Sequence, residues 1–194
     1  MMPARQLTAA ILAGGASRRM GGQDKGLVPF HDRPLIAWVI EALEPQVDEI
    51  LIVANRNLEA YRSFGHRVVS DLRPDYPGPL AGIETALTHA THDSLLVCPT
   101  DAPLLPACYA QMMGNTGSAT AAVAVIDSRW QPVFSLVTRS ALPGLSARLD
   151  RGERKAQSWL ASLTPALVNL DAYAEQLQDV DTQEALQALI ERAR

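Results

Sequence analysis

Residues 11–27 read Ile-Leu-Ala-Gly-Gly-Ala-Ser-Arg-Arg-Met-Gly-Gly-Gln-Asp-Lys-Gly-Leu. They begin where an apolar run, Leu7 to Leu12, stops, and a short run of that kind reads as a buried strand. Gly14, Gly15, Gly21 and Gly22 let the backbone approach a ligand closely. Ser17, Arg18, Arg19 and Lys25 add a hydroxyl and cations to the same loop. Backbone N–H groups and fixed cations at a strand end form an anion cradle suited to phosphates. Two familiar phosphate loops are excluded. Lys25 is followed by Gly26, so there is no Gly-x-x-x-x-Gly-Lys-[Ser/Thr], and Ala16 stands where the second glycine of Gly-x-Gly-x-x-Gly belongs. The plain alternative is a glycine-rich surface loop with solvated arginines.

Outward from this loop the pattern alternates helix and strand. Pro34 suits a helix first turn, and Ile36, Val39, Ile40 and Leu43 follow at helical spacing. Glu49 to Ala54 is a short apolar strand ending at Asn55-Arg56; a small helix through Tyr61 and a strand from Arg67 to Ser70, ending at Asp71, come next. Pro74, Pro77 and Pro79 keep residues 72–79 irregular. Leu80, Ile83, Leu87 and Ala90 make another helical face, and Ser94 to Cys98 a fourth strand closed by Pro99-Thr100-Asp101-Ala102-Pro103. Each of these strands ends in a polar cluster: the glycine loop, Asn55, Asp71 and Asp101. Ligands of parallel α/β sheets bind outside the carboxyl ends of the strands, so one sheet edge should collect all four.

The second half is less regular. Thr120 to Ile126 and Pro132 to Thr138 read as strands joined by Asp127-Ser128-Arg129-Trp130-Gln131. Ala141 to Leu149 and Lys155 to Leu163 read as helices, Ala166 to Leu170 as a last strand and Gln183 to Ala193 as a final helix. The expected class is α/β: three layers, with helices on both faces of a mostly parallel Rossmann-like sheet.

At 194 residues the chain reads as one domain, 1–194, and its 47% hydrophobic and 20% charged content is ordinary for a globular protein. A net charge of −4 argues against a nucleic-acid binder. Residues 1–6 lack the apolar core of a signal peptide, no apolar run reaches spanning length, and Cys98 and Cys108 form no disulfide framework. A cytoplasmic protein without membrane contact is the expectation.

The opening stretch resembles the signature of nucleotidyltransferases that activate small molecules, Leu-Ala-[Gly/Ala]-Gly-x-[Ser/Ala]-x-Arg-Met-Gly-x-x-Lys. It is most similar to that of the molybdenum cofactor guanylyltransferases, through Leu12-Ala13-Gly14-Gly15, Arg19-Met20-Gly21-Gly22 and Asp24-Lys25-Gly26. The likeness covers most of the chain and is densest over 9–27 and 71–103. It implies a fold of the nucleotide-diphospho-sugar-transferase type, with residues 1–105 as the nucleotide-binding half and 106–194 as the acceptor-binding half. It also implies an activity: transfer of GMP from GTP to the terminal phosphate of molybdopterin carrying molybdenum, with release of pyrophosphate. Other cofactor-maturation proteins and apo-molybdoenzymes are the further partners it allows.

Read residue by residue, the likeness gives Arg19, Lys25 and Asp101 the catalytic work, with Arg19 and Lys25 on the β- and γ-phosphates. Leu12, Ala13, Gly14 and Gly15 would line the nucleotide, joined by Asn55 and Asp71. Cys98-Pro99-Thr100-Asp101 is similar to the family's metal segment, so Asp101 would hold Mg2+. One carboxylate suffices for magnesium bound mainly to phosphates, although aspartate is also a common turn residue. Asp71 matches a guanine contact: a carboxylate can accept both N1–H and N2–H2, a donor pair that adenine and cytosine lack. Its alternative is again a turn aspartate. Gly78-Pro79-Leu80-Ala81-Gly82 resembles the second motif, with Gly78 and Gly82 close to base and ribose, or else is an ordinary helix start. Arg151-Gly152-Glu153-Arg154-Lys155 resembles a pterin-side segment, or is a solvated face.

His89 and His92 are spaced like a metal pair but better fit the end of a helix, where cations suit the dipole. His31 and His66 are isolated. Trp130 can stack on a pterin or pack inside. Two departures from the family pattern stand out: Val53 where an asparagine is usual, and Asp179-Val180-Asp181-Thr182 for Asn-Val-Asn-Thr. Asp181 with Glu184 fits a helix capping pattern. The alternatives to guanylyl transfer are a molybdopterin cytidylyltransferase, whose signature usually has alanine at position 14, and a non-catalytic nucleotide-binding partner in cofactor maturation.

Overall fold

The computed structural model describes residues 6–13, 23–73, 78–117, 119–178 and 182–192. At its centre is β1 (Leu7–Leu12), buried on both faces as a parallel strand must be. It pairs in parallel with β4 (Glu49–Val53) on one side and β6 (Ser94–Pro99) on the other. The short β5 (Arg67–Val69) extends the sheet beyond β4. Past β6 the chain enters antiparallel as β8 (Arg129–Thr138), flanked by β7 (Ala121–Ile126) and then β9 (Ala166–Asn169), which runs parallel to β7. The order of this seven-stranded sheet is β5-β4-β1-β6-β8-β7-β9. Only β8 runs against the others, so the expected mostly parallel sheet is present.

Alternation along β1 separates the two outer layers. Ala9 and Ile11 join the cluster formed by α1 (Leu35–Leu43), α2 (Leu58–Arg62) and α4 (Tyr109–Gly114), through Ile36, Val39, Tyr61, Tyr109 and Met113. Ala10 faces α3 (Pro79–His89), α5 (Leu142–Asp150) and α6 (Ala156–Ser162), through Leu80, Ile83, Leu145 and Trp159. The α1–α4 layer is tied by polar contacts as well. Buried Gln46 donates to the Pro106 carbonyl at 3.1 Å and accepts from Ala110 N at 2.8 Å, joining the end of α1 to α4. The last helix, α7 (Gln183–Arg192), sets Leu186 and Leu189 against Phe30 and Leu35. Phe30 belongs to a two-residue ribbon, β2 (Pro29–Phe30) with β3 (Arg33–Pro34).

The hairpin differs from expectation. Its turn is only Asp127-Ser128, both at positive φ (49° and 60°), and β8 starts at Arg129. Positive φ at both central residues suits the right-handed twist of the strands it joins. Above the turn the register shifts: Ala124 faces Gln131 while Val123 faces Ser135. Pro132 lies in the bulged stretch between, where a missing N–H removes no ladder bond. No described helix is long and apolar enough to cross a membrane.

Candidate active site

The carboxyl ends of β1, β4, β5 and β6 lie side by side, so the residues that follow them meet at one sheet edge. On the β6 side, Lys25 Nζ stands 3.1 Å from Asp101 Oδ2. Lys25 opens a single 3-10 turn (Lys25–Leu27), and Asp101 follows β6 in a turn where it is 7% exposed. The preceding residue, Asp24, holds that turn down. Its buried carboxylate accepts from Tyr61 Oη at 2.5 Å and Asn57 Nδ2 at 2.9 Å, with Arg56 Nε at 3.5 Å. Arg56 also donates to the Gln23 carbonyl at 3.1 Å. Burial, and then the bond to Asp24, push the Tyr61 hydroxyl well above its ordinary pKa, so it stays a donor. Gly26 completes the fit: a Cβ there would stand 2.4 Å from Thr100 Oγ1 and 2.6 Å from Tyr61 Oη. Only glycine brings Lys25 so close to the turn that carries Asp101.

On the β5 side, Asn55 and Asp71 form a closed pair. Asn55 Nδ2 donates to Asp71 Oδ2 at 2.7 Å, and Asp71 N donates to Asn55 Oδ1 at 2.9 Å. Asn55 thereby orients Asp71. The other carboxylate oxygen, Asp71 Oδ1, is buried without a hydrogen-bond partner among the described residues. Burial raises the Asp71 pKa; the Asn55 bond opposes this and the nearby Glu84 charge reinforces it. A Cβ on Gly82 would stand 3.0 Å from Leu12 Cδ2, 3.6 Å from Val53 Cγ1 and 3.7 Å from Asp71 Oδ1. Leu12, Val53, Asp71 and Gly82 thus converge on a spot with an unused acceptor. Gly78 precedes α3 at φ 85° and ψ −164°, a conformation essentially confined to glycine. Ala13 is buried and bonded through its N–H to the Val53 carbonyl at 2.8 Å.

Of the residues expected from sequence, Lys25 with Asp101, and Leu12, Asn55, Asp71 and Gly82, are brought together in these two groups. Gly14, Gly15 and Arg19 lie outside the described residues, as do Asp179 and Asp181. Thr182 caps α7: its Oγ1 accepts from Ala185 N at 3.1 Å. The two histidines do not converge on a metal, since His92 Nδ1 meets Thr8 Oγ1 at 3.1 Å and the His89 carbonyl accepts from Arg67 at 2.9 Å. In the basic run, Arg148 and Arg151 both pair with Glu153, at 2.6 and 2.9 Å, on an exposed surface. Trp130 is half-buried against the α3 side of the core.

Among the described residues no group of three or more histidines, cysteines or carboxylates could hold a metal. Asp101 supplies a hard carboxylate oxygen beside the Lys25 ammonium. That donor set fits magnesium only where phosphate oxygens and water complete its shell. Tyr61 carries no pattern that marks it for this site, and although Asp24, Gly26 and Thr100 stand inside quoted segments, their mutual support is not written in the spacing. Asp24 sits inside the quoted motif, but its partners lie 33 and 37 positions away.

A family model described as a MobA-like NTP transferase domain matches residues 9–167. The molybdenum cofactor guanylyltransferase of Shewanella halifaxensis is 43% identical over 187 residues, covering 95% of this chain and 94% of that protein. Its counterpart in Shewanella pealeana is 44% identical over 189 residues, covering 96% and 94%. Among solved structures, molybdopterin-guanine dinucleotide biosynthesis protein A from Archaeoglobus fulgidus has a TM-score of 0.80 over 96% of this chain and 98% of its own, at 23% identity. That last likeness concerns the fold alone.

Proposed function

The chain belongs to the MobA-like NTP transferase family, and from that membership we propose that it transfers GMP from GTP to the terminal phosphate of molybdopterin carrying molybdenum. An oxygen of the acceptor phosphate forms a bond to the α-phosphorus of GTP. The α–β bridging P–O bond breaks, and pyrophosphate leaves with its electron pair. An ionised phosphate needs no protein nucleophile, so the protein's part is positioning and charge neutralisation.

Lys25 and Arg19 hold the β- and γ-phosphates, with backbone groups at Ala13, Gly14 and Gly15 around them. Asp101, with its oxygen 3.1 Å from the Lys25 ammonium, would hold magnesium. The metal would supply positive charge to the phosphate oxygens. Asp71 reads the base, and the small residues Gly78 and Gly82 leave room for base and ribose. Residues 1–105 form the nucleotide half, since Lys25, Asp71 and Asp101 all fall within them, and 106–194 the acceptor half.

The observation that carries the guanine reading is Asp71 Oδ1, a buried acceptor with no partner beside Gly82. Buried polar groups in proteins are nearly always satisfied, so an unused one at a sheet edge calls for a ligand donor. Asn55 supports Asp71, and its second N–H remains for the nucleotide. The experiment is pyrophosphate release from GTP, CTP, ATP and UTP with molybdopterin as acceptor. Turnover with GTP at least tenfold above the rest is expected, roughly the discrimination of one good charged hydrogen bond. Preference for CTP would move the chain to the cytidylyltransferases.

A further inference from the structure

Arg73 lies two residues beyond Asp71 and meets neither the Lys25–Asp101 pair nor the Asn55–Asp71 pair directly. Its guanidinium forks onto Glu84, Nε to Oε2 at 2.6 Å and Nη2 to Oε1 at 2.8 Å. Nη1 donates to Asp150 Oδ1 at 2.7 Å, and Nη2 also to the Ser146 carbonyl at 3.2 Å. Glu84 is 5% exposed in α3, two residues after Gly82. Between Asp71 and Arg73, Leu72 N donates to the buried Thr85 hydroxyl at 3.0 Å. Three consecutive residues are therefore fastened: Asp71 to Asn55, Leu72 to Thr85 and Arg73 to Glu84. Apolar burial does not hold the segment, because the Leu72 side chain is 53% exposed. A buried ion pair is weak grounds for stability, and its better-attested use is to fix geometry. The geometry it fixes here is the approach of the Asp71 carboxylate to α3 at Gly82.

We infer that Arg73, through its fork to Glu84, is a positioning residue that sets the preference for guanine by holding Asp71 against α3. This rests on the reading of Asp71 as the guanine acceptor. The test is calorimetry of GTP, ITP and inorganic pyrophosphate with the wild-type chain, Asp71→Asn, Arg73→Lys, Arg73→Gln and the double variant Arg73→Gln/Glu84→Gln. ITP keeps N1–H and lacks the 2-amino group. Arg73→Gln should cut the preference for GTP over ITP by about tenfold, the worth of roughly one hydrogen bond, and leave pyrophosphate affinity unchanged. Arg73→Lys should recover part of the preference, since an ammonium can meet one Glu84 oxygen but cannot form the fork. The double variant leaves no stranded carboxylate in α3, so it gives the answer if Arg73→Gln does not fold. A preference retained in Arg73→Gln or the double variant while Asp71→Asn loses it overturns the positioning role alone. So does an equal fall in affinity for all three ligands, which is what a purely structural part would give. A preference retained in Asp71→Asn overturns the guanine reading and this inference with it.

Discussion

Lys25 and Asp101 oppose each other at 3.1 Å, and each answers to a different measurement. Lys25→Ala should fold normally and bind GTP more weakly by about 1.5–3 kcal/mol, the worth of a charged hydrogen bond. Calorimetry decides this; wild-type affinity would remove Lys25 from the phosphate site. Asp101→Asn should lower the pyrophosphate-release rate far more than it weakens metal-free nucleotide binding. A rate unchanged across a magnesium titration would return Asp101 to the turn residues. Asp71 adds a pH dependence. Its pKa is raised, chiefly by burial, so any stability it contributes is present at low pH and lost as pH rises through the folded value. Guanine binding runs the other way, because only the ionised carboxylate accepts both donors. GTP affinity should therefore fall as pH drops through that raised pKa, and Asp71→Asn should flatten the profile. The three ionisable residues were legible in the sequence from their places after strands. Their supports were not: nothing in the sequence ties Asn55 to Asp71, and only the fold shows the two bonded.

At the scale of elements, the 3-10 turn of Lys25–Leu27 depends on having no side chain at Gly26. Gly26→Ala would push a methyl into Thr100 Oγ1 and Tyr61 Oη, the latter fixed by its bond to Asp24. Overpacking of this kind costs about 1–3 kcal/mol. A lower unfolding midpoint and weaker GTP binding are expected together, with partial recovery in Gly26→Ala/Thr100→Ala, which clears the nearer contact. A midpoint equal to wild type would mean the turn yields freely. Strongly periodic elements such as β1, β4, α1 and α3 were legible because burial on one or both faces writes itself into residue spacing. The start of β8 was hidden, since Arg129 is exposed and Trp130 and Gln131 only half-buried, where no apolar alternation is required. α4 is only six residues long and ends in glycine, too short to show a period, and the β2–β3 ribbon is shorter still.

Across the whole molecule, two carboxylates link distant elements and predict how acid acts. Hydrogen bonds from Arg73 hold Glu84 below its ordinary 4.5, and burial opposes this. For Glu49 burial raises the pKa, but bonds from Thr8 and Thr91 outweigh it and leave the group below 4.5. Stability from such groups is present above the unfolded value and lost as pH falls through the folded one. The unfolding midpoint should therefore drop as pH falls below 4.5, and Glu84→Gln should show a shallower drop from a lower start. Equal slopes for the two proteins would deny Glu84 that part. The three-layer plan was legible from strand and helix alternation, and the hairpin reading already set β7 and β8 antiparallel; which of the two runs against the sheet leaves no mark on side-chain spacing. The central place of β1 has a consequence for how the chain is made. One neighbour, β4, pairs Glu49 with Thr8, while the other, β6, pairs Leu95 with the same residue. At translation rates of roughly 5–20 residues per second, β1 waits about 4–17 s for β6 to be synthesised. During that interval its β6 side is an unpaired edge, and that edge is where a misfolded or aggregated product would begin.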